Sequence, residues 1–404
     1  MQPDNATAAG LMDLVSAGQL GGAVTQVWRG DKLVDAGTVG WRDIDAKVPM
    51  TQDTIFRIAS LSKPITSMAA LMLMERGHFT LDDPITRWAP EFTNARVLRT
   101  PDGSLDETDP AARPITFEDL LTHRSGLTYG EAQDGPIRAA HKTLGRDIDS
   151  DLTPSEWIER LATLPLIDQP GNGFHYGHST DILGLLLGRI ADEPLEDVLT
   201  RLIFEPLGMR DTGFSVPVEH RHRRAAQYGF DGEGRLTILE TTPGGATMAE
   251  RPAGMTYQSG GQGLWSTVPD YSAFARTLVG HGPELVRPET LRLMRKNRLT
   301  DGQRRSAALL GMPLFGDGNG FGLGVAVVLD PAKASVMHGS GGVGTVGWPG
   351  AYGGWWQADP TNASVMVLLT HNMLELEQLL QGVGFGVYAA TAQFHEAATK
   401  LLNG

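Results

Sequence analysis

The sequence predicts an α/β protein with two lobes, one formed by both chain ends and one inserted between them. Three observations support this: β-like patterns near both ends, short helical patterns between them, and a length of 404 residues. Such a length exceeds what one simple core usually takes, so two structural units are expected. We predict an α/β lobe from residues 1–80 and 236–404, and a mostly helical lobe from residues 81–235.

The α/β lobe begins with a hairpin and a buried helix. Residues 22–41 alternate apolar and polar side chains around the letters RGDK, which is typical of a β-hairpin with a tight turn. The stretch at about 60–76 carries apolar residues at helical spacing and on further positions, so we expect a helix buried on most sides. Gly77 is a natural end for that helix.

Short helices are predicted for the inserted lobe, at 115–127, 153–165 and 179–209, with Pro194 and Pro206 separating helices within the last segment. Strands are predicted again near the C-terminus, because valine, aromatic and turn residues are frequent there. A final amphipathic stretch is expected to be helical. These C-terminal segments are 320–330, 350–360 and 363–371 for the strands and about 374–402 for the helix.

The composition excludes several classes of function. The formal net charge is −13 and the acidic residues are scattered, which argues against nucleic acid or an anionic membrane as the main partner. With no cysteine, disulfides, thiolate nucleophiles and Cys-ligated zinc are excluded. The first 22 residues lack a signal-peptide pattern, and no apolar run is long enough to span a bilayer. We therefore expect a soluble cytoplasmic protein without membrane insertion, although removal of a leader would leave the same pattern.

The strongest chemical signal is an S-x-x-K motif at the front of the predicted buried helix. Residues three apart on a helix share a face, so the Lys63 ammonium can hydrogen-bond the Ser60 hydroxyl. A serine nucleophile needs such a base or cation, and free N–H groups at a helix start suit an oxyanion. Pro64 is compatible with the first turn of this helix, where a missing N–H costs least. The alternative is a serine cap followed by a solvent-facing lysine, and the apolar sequence around Lys63 favours the functional pair.

A second candidate lies in the segment FHYGHSTDILG, residues 174–184. Tyr176 ends a loop before a helix that we expect Ser179 or Thr180 to cap, and a nearby cation would let it exchange a proton. The alternative is an aromatic side chain packed under a loop. His175 and His178 have H-x-x-H spacing without an evident third ligand, so we expect neither a metal site nor a cofactor.

A glycine-rich segment near residue 340 matches a dinucleotide fingerprint by letter. Gly339, Gly341 and Gly344 have G-x-G-x-x-G spacing, but strand and turn residues follow them rather than a helix. A glycine-rich backbone that lines a cleft is the favoured interpretation. The sequence has no G-x-S-x-G, H-E-x-x-H or Walker A motif, which excludes the chemistry attached to each.

Several segments, taken in order, resemble the serine β-lactamase-like superfamily, close to class C β-lactamases and family VIII carboxylesterases. The resemblance covers most of the chain. It implies the two-lobe serine β-lactamase/DD-peptidase-like fold, in which helices flank an antiparallel sheet and a mostly helical lobe is inserted. The segments that carry it are 54–77, 115–127, 176–190, 204–214 and 347–360.

The resemblance also implies roles for individual residues. Ser60 would be the nucleophile, Lys63 the partner that tunes it, and Tyr176 the proton relay. The N–H groups of Ser60 and Ala351 would form the oxyanion hole. The residues that would lie beside a substrate are Tyr129, His178, Trp348, Pro349 and Gly350.

Two departures from class C relatives favour an ester substrate. Those relatives carry Lys or His followed by Thr-Gly, where this chain has the uncharged triplet Trp348-Pro349-Gly350. His178 likewise replaces the amide of the Tyr-x-Asn motif. We therefore expect a serine carboxylesterase that cleaves a small-molecule ester through an acyl-enzyme. The alternatives are an acyltransferase, an amide or β-lactam hydrolase, and a receptor that is acylated without turnover.

Overall fold

The structure is a computed structural model that describes residues 6–145, 150–240, 256–309, 311–373, 378–379 and 381–404. The described strands are, in chain order, β1 (Gly22–Arg29), β2 (Lys32–Asp43), β3 (Val48–Pro49), β4 (Phe56–Arg57), β5 (Arg96–Leu98), β6 (Thr108–Pro110), β7 (Gln227–Phe230), β8 (Leu236–Glu240), β9 (Trp265–Ser266), β10 (Ala308–Leu309), β11 (Met312–Pro313), β12 (Asn319–Phe321), β13 (Ala326–Val328), β14 (Val346–Gly347), β15 (Trp355–Asp359) and β16 (Ser364–Thr370).

Helices of very different lengths lie between and after these strands. The α-helices are α1 (Ala6–Ala9), α2 (Met12–Ser16), α3 (Ser62–Glu75), α4 (Phe117–Leu121), α5 (Pro136–His141), α6 (Pro154–Thr163), α7 (Ser179–Ala191), α8 (Leu195–Leu199), α9 (Glu205–Leu207), α10 (Val268–Thr277), α11 (Pro288–Met294), α12 (Asp301–Ser306) and α13 (Gly386–Asn403). Among the described helices, none has both the length and the apolar character that crossing a membrane requires.

The two ends of the chain meet in one antiparallel sheet. Within the described residues, eight strands pair in the order β12-β13-β14-β15-β16-β1-β2-β3. Strand β16 lies beside β1 with Ala23 opposite Thr370, and β1 forms the predicted hairpin with β2. The predicted antiparallel sheet flanked by helices is confirmed. The division of the chain at residues 80 and 235 stays a prediction.

Side chains alternate between the two faces of this sheet, because successive residues of a strand point in opposite directions. Two adjacent tryptophans on β15 illustrate the alternation. Trp355 packs edge-on against Phe394 of α13, with ring centroids 6.1 Å apart. Trp356 faces the opposite side and meets Tyr271 of α10 at 5.7 Å. Both sheet faces are therefore covered by helices.

Helix α3 runs through the largest core, and every residue from Ser62 to Leu73 is buried. Its polar face is thus not exposed to solvent, as the apolar sequence predicted. The α-helix begins at Ser62, because Ala59–Leu61 form a 3₁₀ turn ahead of it. Gly77 follows the end of the helix with a φ of +81°, a left-handed conformation that favours glycine.

Three sequence predictions about element boundaries were inexact. Residues 320–330 form the β12–β13 hairpin rather than one strand. Pro206 does not separate helices, because a π-helical segment from Thr200 to Phe204 leads directly into α9, which contains it. The final helix begins at Gly386, and residues 374–377 and 380 of the predicted stretch lie outside the described residues.

Candidate active site

Ser60 lies on the 3₁₀ turn between β4 and α3, where several contacts fix the backbone. Strand β4 pairs with β9, and the Ile58 N–H donates to the Leu264 carbonyl at 3.0 Å. The residue before the serine, Ala59, has a φ of +46°, which a non-glycine residue adopts only when its surroundings hold it there. The chain thus presents Ser60 from a strained turn at the start of the buried helix.

Lys63 is buried and its ammonium makes three hydrogen bonds. It donates to Ser60 Oγ at 3.3 Å, to the Tyr129 hydroxyl at 3.1 Å and to the Gly261 carbonyl oxygen at 3.0 Å. Only 1% of the residue is exposed, so these bonds replace its hydration. The serine and lysine therefore contact each other at the spacing that the motif predicts.

Tyr129 and Tyr176 both reach this lysine because their two loops pack closely together, with Gly177 of one loop against Thr128 of the other. A Cβ on Gly177 would lie 2.3 Å from Thr128 Cα, so only glycine permits this approach. The two tyrosine rings are 5.6 Å apart and nearly perpendicular. Lys63 Nζ lies 4.6 Å from the centroid of the Tyr176 ring and 5.4 Å from that of Tyr129, in the range of a cation–π contact.

Trp348 contacts Tyr176 as well. Its indole N–H donates to the Tyr176 hydroxyl at 2.9 Å, and the two ring centroids are 5.2 Å apart. Trp348 follows β14 directly and enters a tight turn, in which the Gly350 N–H donates to the Gly354 carbonyl at 2.7 Å. Ala351 lies in this turn and is exposed.

Ser60 and Tyr176 open into a cavity of about 250 Å³. The described residues that line it include no Asp, Glu, Lys or Arg. Tyr129 and His178, which were expected to lie beside a substrate, do not line this cavity. The Tyr129 hydroxyl instead accepts a hydrogen bond from Lys63, and His178 is buried against the Tyr129 ring. The lining residues are Ser60, Tyr176, Leu309, Met312, Leu314, Met337, His338, Trp348, Pro349, Gly350, Ala351, Gly353, Gly354, Leu379, Val387, Tyr388 and Thr391.

A buried carboxylate, that of Asp181, binds Gly261, the residue whose carbonyl accepts a hydrogen bond from Lys63. Asp181 accepts hydrogen bonds from the Ser259 hydroxyl, from the Gly261 N–H at 3.1 Å and from His178 Nδ1 at 3.2 Å. A Cβ on Gly261 would lie 3.0 Å from both carboxylate oxygens. Burial alone raises the pKa of Asp181, but the hydrogen bond and charge of His178 and the charge of Lys63 lower it overall.

Asp181 lies in the candidate segment 174–184, but neither it nor Gly261 was predicted from the sequence to have a role in the site. The prediction that Ser179 or Thr180 caps α7 was also wrong. His178 occupies the N-cap position, and its side chain makes no capping hydrogen bond. Ser179 instead hydrogen-bonds Ser125 at 2.8 Å. The only sequence signal there is the run Ser259-Gly260-Gly261, which is typical of a turn and could have indicated that another segment packs closely against it.

Two more histidines, His123 and His141, lie beside the site. The Nδ1 atom of each is buried and has no hydrogen-bond partner among the described residues. His123 contacts the Tyr176 ring at 4.9 Å, and burial together with the charge of Lys63 puts its pKa well below the usual range. His141 stacks on His178 at 5.6 Å, and burial lowers the pKa of His141 to about 3. Across the described residues, no group of three or more acidic or histidine side chains could hold a metal ion.

Comparison with known proteins identifies the family. The sequence model of the Beta-lactamase family matches residues 5–380, which is most of the chain. The chain belongs to the Beta-lactamase family. The resemblance found in the motifs and the β-lactamase-like fold are thereby confirmed.

Relatives within the family include an esterase. The chain is 45% identical over 372 residues to Protein Rv1367c of Mycobacterium tuberculosis, covering 91% of this chain and 90% of that protein. It is 35% identical over 375 residues to Esterase EstB of Burkholderia gladioli, covering 88% and 87%. The solved structure of EstCE1, described as a hydrolase with promiscuous acyltransferase activity, superposes with a TM-score of 0.77 at 28% identity, covering 98% and 99%. The chain is thus a member of a β-lactamase-fold hydrolase family with an esterase relative.

Proposed function

We propose that this protein is a serine carboxylesterase that cleaves uncharged esters through an acyl-enzyme on Ser60. One observation carries the proposal: Ser60 Oγ accepts a hydrogen bond from a buried lysine at 3.3 Å and lines a cavity without charged side chains among its described residues. The identity shared with Esterase EstB supports an ester as the substrate class.

In the acylation step, Ser60 Oγ attacks the ester carbonyl and its proton leaves toward Tyr176. Lys63 holds the serine oxygen by its hydrogen bond and keeps a positive charge 4.6 Å from the Tyr176 ring. The Trp348 N–H adds a hydrogen bond that stabilises negative charge on the phenolic oxygen. Tyr176 then returns the proton to the departing alkoxide, which leaves as an alcohol.

The tetrahedral oxyanion formed in this step needs donors that are already in place. We assign this role to the N–H groups of Ser60 and Ala351, which belong to two lining residues of the same cavity. Losing one such donor typically lowers kcat by about 10²–10³-fold. Water then attacks the acyl-enzyme with Tyr176 as the base, and the acid is released.

The absence of charged side chains among the described lining residues favours neutral esters over penicillin-like substrates. Penicillins and nitrocefin each carry a carboxylate, and transfer of an unpaired carboxylate from water into an apolar site is unfavourable. Trp348, Pro349 and Gly350 line the cavity at the position where class C relatives carry a cation. We therefore expect hydrolysis of nitrocefin to be far slower than that of short-chain esters.

The test measures hydrolysis of p-nitrophenyl esters by wild type and Ser60→Ala, with intact-mass detection of the acyl adduct. We expect Ser60→Ala to lose turnover and the adduct. The matched control is Ser62→Ala. Ser62 Oγ accepts from the Leu264 N–H at 3.2 Å and the residue is absent from the cavity lining, so turnover should persist. Equal activity of Ser60→Ala and wild type would contradict the proposal.

Acyl transfer is a second candidate function. EstCE1 is a hydrolase with promiscuous acyltransferase activity, and the largely apolar cavity would favour an organic alcohol over water as the acceptor. Adding an acceptor alcohol and measuring the ratio of new ester to free acid separates the two functions. If the ratio of new ester to free acid stays below the ratio of alcohol to water concentration, the enzyme is a hydrolase.

A further inference from the structure

One buried polar side chain in the cavity has no role in the steps above. His338 lines the cavity together with Ser60 and is only 8% exposed. Its ring lies 5.2 Å from Trp348 and 5.9 Å from Phe315, among aromatic rings. Among the described residues, neither of its ring nitrogens has a hydrogen-bond partner, and Nδ1 is the one that is fully buried. Nε2 is therefore the nitrogen left to meet a molecule in the cavity.

The other polar side chains that line the cavity differ from His338. The hydroxyls of Ser60 and Tyr176 already accept hydrogen bonds from Lys63 and Trp348. Thr391 donates to the Val387 carbonyl at 3.3 Å, and Tyr388 is only half-buried. His338 is thus the buried lining residue whose hydrogen-bonding capacity the described protein leaves unused.

The backbone around His338 is held firmly. Asn319 of β12, which is fully buried, accepts from the Ser335 N–H at 2.7 Å and donates to the Gly339 carbonyl at 3.2 Å. These two bonds clamp both ends of the 3₁₀ turn Val336–His338. The imidazole is therefore presented to the cavity from a fixed turn, which is what a specificity group requires.

The imidazole is uncharged at neutral pH, since burial lowers the pKa of His338 to about 4. A neutral imidazole nitrogen is a donor in one tautomer and an acceptor in the other. A hydroxyl group can both accept and donate, so it pairs with either tautomer. A methyl group of the same size pairs with neither.

We propose that His338 selects esters that carry an uncharged hydroxyl group on the chain that occupies this cavity. The proposal rests on the esterase function proposed above. A hydroxyl would satisfy the unused imidazole nitrogen, whereas an alkyl chain would leave that nitrogen buried without a partner. Sites that hydrogen-bond a substrate hydroxyl reject the analogue that lacks it much more strongly than apolar pockets reject an extra methylene.

The test uses ester pairs in which a hydroxyl replaces a methyl group of similar size. The pairs are ethyl 2-hydroxypropanoate with ethyl 2-methylpropanoate, ethyl 3-hydroxybutanoate with ethyl 3-methylbutanoate, and 2-hydroxyethyl butanoate with propyl butanoate. Titration of the released acid at neutral pH gives kcat/KM for each ester. In His338→Phe, we expect the hydroxyl-over-methyl ratio to fall by roughly tenfold for at least one pair.

Two further variants separate hydrogen bonding from shape. His338→Gln keeps an uncharged donor and acceptor, so it should retain a higher ratio than His338→Phe. Met337→Leu changes a neighbouring lining residue that makes no such bond, so its ratio should match wild type. If His338→Phe does not fold, His338→Leu takes its place.

Two outcomes would overturn the inference: ratios within about twofold of wild type for all three pairs, or an equal fall in Met337→Leu. Either outcome leaves the esterase proposal intact, provided that wild type hydrolyses the methyl esters and Ser60→Ala does not. Wild type that hydrolyses no ester of either kind would instead contradict the proposed function itself.

Discussion

The indole N–H of Trp348 donates a hydrogen bond of 2.9 Å to the phenolic oxygen of Tyr176. The two residues are 172 positions apart in the sequence and meet at the wall of the cavity that Ser60 lines. Trp348 therefore does more than close the cleft, because it fixes the oxygen that we propose to exchange protons with Ser60. Its aromatic ring and its N–H group can be tested separately.

Trp348→Phe removes the donor and keeps an aromatic ring in the cavity wall. Because we propose that the Tyr176 oxygen carries negative charge, and a hydrogen bond to a charged group contributes about 1.5–3 kcal/mol, we expect kcat to fall by roughly 10–100-fold. Single-turnover measurement of the acylation rate on a p-nitrophenyl ester checks this. Trp356→Phe is the control, since the Trp356 N–H is buried without a partner among the described residues and lies outside the cavity lining. A Trp348→Phe enzyme with the acylation rate of the control would contradict the prediction.

The two tyrosines at Lys63 should differ in how much they contribute to turnover. Proton transfer by a positioned side chain typically contributes about 10²–10⁴-fold, so Tyr176→Phe should lower kcat by that order. Tyr129→Phe removes one of three hydrogen bonds of the Lys63 ammonium, and we expect a fall of roughly tenfold. Steady-state kinetics of both variants on the same ester gives the comparison. A larger loss in Tyr129→Phe would assign the proton relay to Tyr129 instead.

The parts of the site that residue spacing alone predicted are the local ones, whereas Tyr176, Trp348 and Ala351 were expected only from the family resemblance. Ser60 and Lys63 meet because the 3₁₀ turn that contains Ser60 leads into α3 and brings residues three apart to one side, and the β1–β2 hairpin follows from alternation around a short turn. The Asp181–Gly261 contact joins residues 80 positions apart and is a product of tertiary packing. Periodicity and spacing contain no information about such pairs. Spacing also did not predict the π-helical segment that leads into the helix containing Pro206.

Asp181 should act on catalysis through Lys63 rather than by touching the substrate. It holds the Gly261 N–H, and the carbonyl of that residue accepts from the Lys63 ammonium at 3.0 Å. Asp181→Asn removes the buried negative charge, and because hydrogen bonds to charged groups contribute about 1.5–3 kcal/mol, we expect kcat/KM to fall by roughly 10–100-fold. The pH profile of kcat/KM should change as well, because the charged groups around Lys63 then differ. The other titratable groups around Lys63 are His178, Tyr129, Tyr176 and His123, and burial holds the pKa of His123 well below its usual range.

The control for this variant is Asp119→Asn. Asp119 is also a buried carboxylate, but it pairs with Arg113 and caps α4 away from the cavity. Both variants should lower the free energy of unfolding, since each removes a buried charged partner. Only Asp181→Asn should alter the pH profile of activity. An unchanged profile in Asp181→Asn, measured alongside urea unfolding of both proteins, would reduce Asp181 to a purely structural residue.

Asp270 should make the protein less stable as the pH rises from 4 to 7. Burial raises the pKa of Asp270 to about 6, and the charge of Asp211 acts in the same direction, although hydrogen bonds from the Asp211 N–H and the Thr212 hydroxyl oppose it. A raised pKa means that the folded protein binds this proton more tightly than the unfolded chain does. The stabilisation is complete below the unfolded pKa of 3.8 and is lost as the pH rises through about 6.

The free energy of unfolding of wild type relative to Asp270→Asn should therefore fall by about 2 kcal/mol between pH 4 and pH 7. Urea unfolding of both proteins at several pH values measures this difference, in which other titrating groups largely cancel. Asp301→Asn provides a control of opposite sign, because the hydrogen bond from Arg304 lowers the pKa of the exposed Asp301. Its stabilisation is present at high pH and is lost as the pH falls. A constant difference for Asp270→Asn, or one that grows with pH, would show that the folded protein does not hold this carboxyl in its protonated form.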